Sequence, residues 1–255
     1  MLISPRATFL RLAIALILIP TLAHSQLSRP LIPFDAVPRE EDRARLLNIA
    51  SDYSLYRELP STSIRGDEAQ YNFLMDHLDV TSLIVRKLGL GKQRLRRRGP
   101  NLLEGEDGAG LSGRMSLVYR ERTKRIFLAR GRLDAFFFDI SGRAAIVAEQ
   151  VPEDVQRQGL RLALYIKLDN QFLDAMTHLL SPLLSGAVIG RISKFLTATR
   201  TASEAIHKDP ARILEILEGA GELDEGVKAR FIALFLKKRP EEPAPVSLRP
   251  EGARK

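Results

Sequence analysis

The sequence predicts an α+β fold in which a curved antiparallel sheet of about six strands follows N-terminal helices, and a long C-terminal helix packs across the sheet. Two observations predict this class. Apolar residues recur with a helical period in the first and last thirds of the chain, and with the two-residue period of strands between them. Turn signals such as Asp107-Gly108 separate the alternating segments at short intervals, which indicates hairpins and therefore antiparallel pairing.

Residues 1–25 have the three-part pattern of a secretory signal peptide. Arg6 and Arg11 supply positive charge, and Leu12–Ile19 is an unbroken apolar run. A membrane-spanning helix needs roughly 20 apolar residues, so this run is too short to be one. We expect cleavage after Ser25 and a periplasmic or secreted bacterial location. No cysteine follows the cleavage site, which excludes a lipoprotein anchor.

A single α+β domain is expected over residues 39–236, after an extended, proline-interrupted leader at residues 26–38. Its first element is a short amphipathic helix from Glu40 to Tyr53. A connector at Pro60–Ser63 then precedes a longer helix from Asp67 to Leu88, in which apolar residues recur at helical spacings.

The middle of the chain supplies the strands. On the third of them, Met115, Leu117 and Tyr119 should point to one face, and on the last the residues Leu160–Leu168 alternate in the same way. Such alternation indicates a sheet with one buried wall. The predicted strands are Lys92–Arg98, Leu102–Glu106, Leu111–Glu121, Arg125–Leu133, Arg143–Glu149 and Leu160–Leu168.

The last third is predicted to be helical. A long helix should begin at Asp169 or Asn170 and continue through Phe195. Pro182 should bend it, while Gly186 and Gly190 should permit close approach to another element or make the helix flexible. Shorter helices are expected at Ala211–Leu217 and Glu225–Leu236, and the proline-rich residues 237–255 should form a disordered tail.

This order of elements, with a strand running directly into a long helix at Tyr165–Asn170, resembles the START-like, or helix-grip, superfamily over roughly Tyr53–Ala205. Members of that family begin with a strand, for which only Tyr53–Leu59 is available here. The resemblance implies that the long helix covers a curved sheet and that a lipid or another apolar ligand binds between them. The implied cavity-facing residues are Met115, Leu117, Leu162, Leu164, Ile166, Met176, His178, Leu180 and Leu184.

Catalytic and metal-binding patterns are few. His77 lies between Asp76 and Asp79, but neighbouring residues on a helix point apart, so a polar helix face is the simpler interpretation. His178 is expected in the core or at its boundary, and His207 at a helix end on the surface. The chain has no cysteine and no paired-histidine motif, so we predict no metal and no cofactor. The glycines between residues 105 and 113 are interpreted as turn and bulge glycines, because no helix follows them to form a phosphate site.

The net charge of +8 falls to 8 − 2 = +6 once the two arginines of the signal are removed. Basic residues are expected to cluster near one end of the sheet, where they would contact an anionic membrane surface or form a solvated charged end. Aromatic residues are not interleaved with them, which argues against nucleic acid as a partner. The residues of this predicted basic surface are Arg94, Arg96, Arg97, Arg98, Arg122 and Lys124.

These observations favour an exported, soluble, non-catalytic protein that binds a lipid or another hydrophobic molecule. Two alternatives remain open. One is an enzyme of the cyclase or hydrolase type that uses the same cavity and requires a histidine and a carboxylate inside it. The other is an envelope protein that binds acidic polymer or a membrane surface through its basic residues. The sequence does not identify the ligand, the oligomeric state or the strand order.

Overall fold

The computed structural model describes residues 32–135, 138–169, 185–221 and 223–237. These residues confirm the predicted α+β class. The strands are β1 (Leu55–Arg65), β2 (Arg94–Gly99), β3 (Leu102–Glu106), β4 (Leu111–Arg120), β5 (Lys124–Ala135), β6 (Phe138–Asp154) and β7 (Arg157–Leu168). The α-helices are α1 (Glu40–Ser51), α2 (Glu68–Asp76), α3 (Leu78–Lys87), α4 (Gly190–Lys208), α5 (Pro210–Glu218) and α6 (Glu225–Phe231). The predicted signal peptide and most of the predicted tail lie outside the described residues.

All seven strands belong to one antiparallel sheet with the order β1-β7-β6-β5-β4-β3-β2. Strands β2 to β7 form a meander, since each pairs with the next along the chain. The first strand pairs with the last, and α2 and α3 connect it to β2 at the far edge. This is the element order expected for a helix-grip fold, and it contains one strand more than the six predicted.

The additional strand, β1, runs through the segment predicted as a connector at Pro60–Ser63. Proline has no N–H to donate and is confined to edge strands or irregular positions of a sheet. Both conditions hold here, because β1 is an edge strand and its register with β7 shifts between Leu59 and Thr62. The prediction of a connector was wrong, because Pro60 and the polar residues around it are typical of a loop although they belong to β1.

The long helix predicted before the sheet is instead two helices, α2 and α3. The chain leaves helical geometry at His77, where φ is −116° and ψ is 56°. Side chains compensate the carbonyl groups that the break leaves without helical partners: the Thr81 hydroxyl donates to the Leu74 carbonyl at 2.8 Å, and the Arg97 guanidinium to the Asp76 carbonyl at 2.8 Å. Helical periodicity continues across the break and so did not reveal it.

Both faces of the sheet carry buried residues, whereas the sequence predicted one. We call the face toward α2, α3 and α4 the inner face; it bears the main core, which includes Leu162, Leu164 and Leu196. On the opposite, outer face, α1 and the residues preceding it cover part of β5, β6 and β7. This second core consists of Ile32, Val37, Leu46, Ile49, Ile126, Ala145, Val147, Ala163 and Tyr165.

A bulge assigns Tyr119 to the outer face. The pairing of β4 with β5 shifts between Leu117 and Tyr119, so that Leu117 contacts the main core while Tyr119 packs against the outer one. The extra residue of the bulge reverses which residues of β4 point to the inner face and which to the outer face. The prediction that Met115, Leu117 and Tyr119 share one face is therefore correct for the first two and wrong for Tyr119.

Four glycines on adjacent strands are direct partners in the sheet. Gly105 on β3 pairs with Gly113 on β4, Gly113 with Gly131 on β5, and Gly131 with Gly142 on β6. A Cβ added to Gly113 would lie 2.5 Å from the carbonyl oxygen of Arg130, too close for any side chain. We call these four residues the glycine row. It corrects the interpretation of Gly105 and Gly113 as turn or bulge residues.

The C-terminal helix α4 extends past Ala205 to Lys208 and anchors on the edge strand β1. The Arg65 backbone N–H donates to the Ser203 hydroxyl at 3.0 Å, and the Arg65 guanidinium forms an ion pair with Glu204, also at 3.0 Å. Residues 170–184, which include the predicted start of this helix and Pro182, lie outside the described residues. Helix α5 then packs against α3 and α4, and α5 and α6 add Leu217 and Phe231 to the main core.

Candidate functional site

A cavity of about 1080 Å³ lies between the inner face of the sheet and α4. Alternate residues of β3 to β7 form one wall, because successive side chains of a strand point to opposite faces. The N-terminal half of α4 forms the facing wall with Ile192, Phe195 and Leu196, and Met75 and Leu78 contribute from α2 and α3. The apolar side chains on the sheet wall are Leu103, Leu111, Met115, Phe127, Leu133, Ile140, Ile146, Leu160, Leu162, Leu164, Ile166 and Leu168.

The glycine row explains why the sheet leaves so much space. All four of its residues line the cavity, and where another residue would project a side chain they present only backbone. Ala129 on β5 and Ala144 on β6 are direct partners beside the glycine row, and their short side chains also leave space in the cavity. Small residues at paired positions therefore deepen the cavity across several strands at once.

The α4 side of the cavity corrects a prediction about glycine. Gly186 and Gly190 were expected to permit close packing, but an added Cβ at either position would meet nothing within 4 Å. The space they leave is open, and no neighbouring element in the described part of the chain requires a glycine there. Val188 and Arg191, on the same segment, both line the cavity.

One ion pair joins α4 to the β3–β4 turn at the rim of the cavity. The Arg191 guanidinium donates to a carboxylate oxygen of Asp107 at 2.7 Å. The other carboxylate oxygen accepts the backbone N–H groups of Ala109 and Leu111 at 2.7 and 2.9 Å. Gly108, with φ at 70°, allows the tight turn that places Asp107 in this position. We call the Arg191–Asp107 pair the rim latch.

A second polar group at the rim has no hydrogen-bond partner among the described residues. Gln93 lines the cavity just before β2, and its amide Nε2 is buried without a hydrogen bond. A buried amide that lacks a partner costs free energy, so such groups are rare and call for an explanation. The atom has almost no accessible surface, so a ligand in the cavity would contact it only if the side chain turned.

The predicted ligand-contacting residues divide into three groups. Met115, Leu162, Leu164 and Ile166 all line the cavity. Leu117 lies on the same face and packs against the main core, but it is not part of the lining. The remaining four residues lie outside the described part of the chain: Met176, His178, Leu180 and Leu184. The sequence missed the glycine row and the rim latch, since both depend on contacts between distant segments.

His77 does not contribute to the cavity. It ends α2, and its ring packs against Phe73 with centroids 4.7 Å apart and the planes tilted by 40°. Burial lowers the pKa of His77 below its ordinary value, an effect that the nearby Asp79 opposes. Its Nδ1 atom is buried without a hydrogen-bond partner in the described part of the chain. The position suits a neutral imidazole with a structural role.

His207 is half-buried, so the prediction of a surface position at the helix end was wrong. Its Nδ1 is 2.9 Å from the Ser203 carbonyl oxygen and its Nε2 is 3.0 Å from Oε1 of Gln70. The same Gln70 side chain donates to the Leu234 carbonyl at 2.8 Å. His207 therefore joins α4, α2 and the segment after α6.

Most residues of the predicted basic surface are neutralised by acidic partners. Arg97 binds Asp79, Arg122 binds Glu68, and Lys124 binds Glu149, at 2.8, 2.7 and 3.0 Å. Arg98 binds Glu104 at 2.8 Å. Within the described residues, Arg94 and Arg96 have neither an ion pair nor a side-chain hydrogen bond, and both lie on the outer face of β2 because Leu95 between them packs inward.

The described residues provide neither a metal site nor a membrane-spanning helix. They contain no cluster of three or more histidine, cysteine, aspartate or glutamate side chains arranged to hold a metal ion. None of the helices in these residues is both long enough and apolar enough to cross a membrane.

Comparison with known proteins gives structural likenesses only. No protein-family model matches the chain, and no curated protein matches its sequence. A conserved protein from Geobacillus kaustophilus is 14% identical, with a TM-score of 0.45 over 60% of this chain and 97% of that one. A protein from Thermobifida fusca is 18% identical, with a TM-score of 0.34 over 60% and 93% of the two chains.

Norcoclaurine synthase from Thalictrum flavum, in complex with dopamine and hydroxybenzaldehyde, is 8% identical, with a TM-score of 0.37 over 63% of this chain and 91% of that one. At these values the likenesses carry no argument about function.

Proposed function

We propose that this protein binds a lipid or another hydrophobic small molecule in the cavity between the inner face of the sheet and α4, without catalysing its conversion. The observation that carries the proposal is the cavity of about 1080 Å³ with its wall of leucine, isoleucine, methionine and phenylalanine side chains. The export signal predicted at residues 1–25 suggests that binding takes place in a bacterial periplasm or outside the cell.

The size of the cavity supports ligand binding. Protein interiors are close-packed, and voids larger than a water molecule are few. Ligand pockets typically enclose about 300–1,000 Å³ and are lined mostly by apolar side chains. An apolar cavity of this size would leave many side chains without packing partners, and a hydrophobic ligand restores those contacts.

The rim indicates where a polar end of the ligand would lie. Arg191 offers a guanidinium whose present partner is Asp107, and the Gln93 amide, which no described residue pairs with, could turn toward a ligand. Both residues belong to a lining whose side chains are mostly apolar. We therefore favour a ligand with an apolar body and one hydrogen-bond-accepting or anionic end.

The enzyme alternative requires an imidazole and a carboxylate inside the cavity. His77 and His207 do not line it, and His178 lies outside the described residues. Asp107 and Glu106 reach the rim, but Asp107 is engaged by Arg191 and by two backbone N–H groups. The described geometry favours binding, and catalysis would depend on His178.

The first test is native mass spectrometry of the purified protein, followed by organic extraction. We expect a bound amphiphile, and we expect the Ala144→Phe variant to be purified without it, because the larger side chain would occupy the space beside the glycine row. Ala44→Phe is the matched control, since Ala44 is exposed on α1, on the other side of the sheet. It should retain the ligand.

Two results would overturn this proposal. One is a protein that is empty after purification and takes up no fluorescent fatty acid. The other is an equal loss of ligand in the Ala44→Phe control, which would mean that the ligand does not bind in the cavity.

A further inference from the structure

The outer face of the sheet carries a row of arginines at directly paired positions. Arg114 on β4 pairs with Arg130 on β5, and Arg130 pairs with Arg143 on β6. On the far side of β3, Arg96 pairs with Glu104, which is itself the partner of Arg114. We call Arg96, Arg114, Arg130 and Arg143 the arginine ladder. It lies beside the glycine row, on the opposite face.

Such a ladder is unfavourable by itself. Like charges directly opposite one another on adjacent strands destabilise a sheet. Intramolecular acids compensate only in part: Glu104 serves both Arg98 and Arg114, and Asp169 serves Arg143 at 2.9 Å but lies 3.8 Å from Arg130. The side chains of Arg114 and Arg130 remain 68% and 80% exposed.

Three residues of the ladder, Arg96, Arg114 and Arg130, line a groove with excess positive charge. The groove has a volume of about 510 Å³, and its described wall contains six arginines and two acidic residues, Glu104 and Glu106. One of the six, Arg132, is paired with Asp134 and Asp139, which do not belong to the wall. Serine hydroxyls at Ser112 and Ser141 lie in the same wall and can hydrogen-bond to a neutral polar group. Arg143 follows Ser141 on β6 and continues the ladder at one end of the groove.

We propose that this outer groove is a second binding site, which takes a linear acidic polysaccharide whose carboxylates pair with successive arginines of the ladder. The site is separate from the cavity and does not depend on a hydrophobic ligand being bound there. Guanidinium groups bind carboxylates through two parallel hydrogen bonds, which suits arginine at every position of the ladder.

Spacing and composition favour this partner over other polyanions. Neighbouring strands lie about 4.8 Å apart, close to the length of one sugar ring, so carboxylates on consecutive rings can meet Arg114, Arg130 and Arg143 on β4, β5 and β6. The corresponding position on β3 is Glu104, which separates Arg96 from these three. Single-stranded nucleic acid is disfavoured because the described residues of the groove wall include no aromatic side chain on which bases could stack. A bilayer surface is flat and would contact the protruding edges of a groove more than its floor.

The test uses oligogalacturonates of increasing length and measures affinity by isothermal titration calorimetry. Affinity should rise with length until the chain spans β4 to β6, about three sugar units, and then level off. Binding should weaken steeply with added salt because ion pairs carry it. An affinity that is independent of chain length would overturn the register argument and with it the proposal.

A charge-matched pair of variants isolates the groove. Arg114→Gln with Arg130→Gln should weaken binding about tenfold or more, since two charge-assisted contacts are lost. Arg45→Gln with Arg200→Gln removes the same charge from exposed positions on α1 and α4 and should change affinity less than about twofold. Equal losses in the two variants would mean that only the net charge of the protein attracts the polymer, which would overturn the proposal.

Anionic vesicles containing phosphatidylglycerol provide the competing partner. If they bind through Arg114 and Arg130 while oligogalacturonates do not, the groove recognises a membrane surface and the proposal is wrong. Circular dichroism of both double variants establishes that each is folded, and loss of ligand from the cavity is measured separately, so failure at one site leaves the other testable.

Discussion

At the scale of single residues, Asp76 forms a dense set of polar contacts. Its carboxylate accepts two hydrogen bonds from Arg125, at 3.0 and 2.9 Å, and forms an ion pair with Arg120 at 3.1 Å. The Arg125 side chain is only 5% exposed and also donates to Asn72. A buried guanidinium tolerates its position only while a carboxylate faces it. Asp76 thus ties α2 to the β4–β5 hairpin.

We expect Asp76→Asn to lower the free energy of unfolding by about 3–5 kcal/mol, because it leaves the buried charge of Arg125 without its partner. Urea denaturation followed by circular dichroism measures the change. Glu68→Gln, which removes the exposed ion pair with Arg122, is the matched control and should have little effect. Equal losses in the two variants would contradict the assignment of Asp76 as a structural residue.

The second prediction at this scale concerns pH. Because burial lowers the pKa of His77 in the folded protein, the unfolded chain binds a proton at higher pH than the folded one. Stability should therefore fall as pH decreases through the ordinary histidine range, from about 7 to 5. His77→Gln should make the pH dependence of the denaturation midpoint shallower over this interval, and an unchanged slope would contradict the prediction.

The sequence was least informative about the roles of individual residues. It singled out Asp76, His77 and Asp79 but not their role, since Arg97 and Arg125 approach them only after the sheet has formed. In the same way, the exposed or paired state of each arginine depends on partners elsewhere in the chain. Local patterns do not contain that information.

At the scale of elements, the sequence was more informative. Alternation located β2 to β5 and β7 within about three residues at most ends, and the helical period located α1 and α5. It failed at β1, whose Pro60 and polar residues are typical of a loop, and at β6, which extends well beyond the predicted Arg143–Glu149. Both strands gain stability from the register they share with β7, a long-range property.

Glycine substitutions test the contrast between sheet and helix. Gly113→Ala should lower the free energy of unfolding by about 1–3 kcal/mol, because its Cβ would clash with the Arg130 carbonyl and force the strands apart. Gly190→Ala should raise it by about 0.5–1 kcal/mol, since the added methyl group meets nothing and alanine favours the helix. Thermal denaturation of the two variants should shift in opposite directions, and shifts of the same sign would contradict the packing described.

At the scale of the whole molecule, the cavity lies between the sheet and the helix α4. Contacts at both ends of this helix hold it in place. The C-terminal half of α4 is anchored on β1 through Ser203 and Glu204. The N-terminal half is held to the β3–β4 turn by the rim latch between Arg191 and Asp107. The fold class and the inner face were predictable from the sequence, whereas the latch was not, because its two residues are 84 positions apart.

We expect Arg191→Gln to speed the release of a bound fluorescent fatty acid, as measured by stopped-flow transfer to acceptor vesicles, because the ion pair across the rim is lost. Arg200→Gln removes the same charge from an exposed position of α4 that does not line the cavity, and it is the control. Equal release rates in the wild type and in Arg191→Gln would show that the ligand enters elsewhere.

Ligand removal should also lower the thermal stability of the whole molecule, because a ligand that binds only the folded state stabilises it by mass action. At a ligand concentration about 100 times the dissociation constant the difference is about 2.7 kcal/mol. Calorimetry before and after organic extraction measures it, and readdition of the extracted lipid should restore the original midpoint. An extracted protein with an unchanged midpoint would contradict this expectation.

The glycine row also links the cavity to the alignment of the strands. Glycines form no cross-strand side-chain pairs, so β3 to β6 gain no pairing energy there. A shift of β4 against β5 by two residues, which would keep every side chain on its proper face, would bring Met115 opposite Gly131 and place its side chain in the space that the glycines leave open. The native alignment is therefore the one that joins the four glycines into a continuous row across β3 to β6. The cavity thus depends on the register of the strands around it.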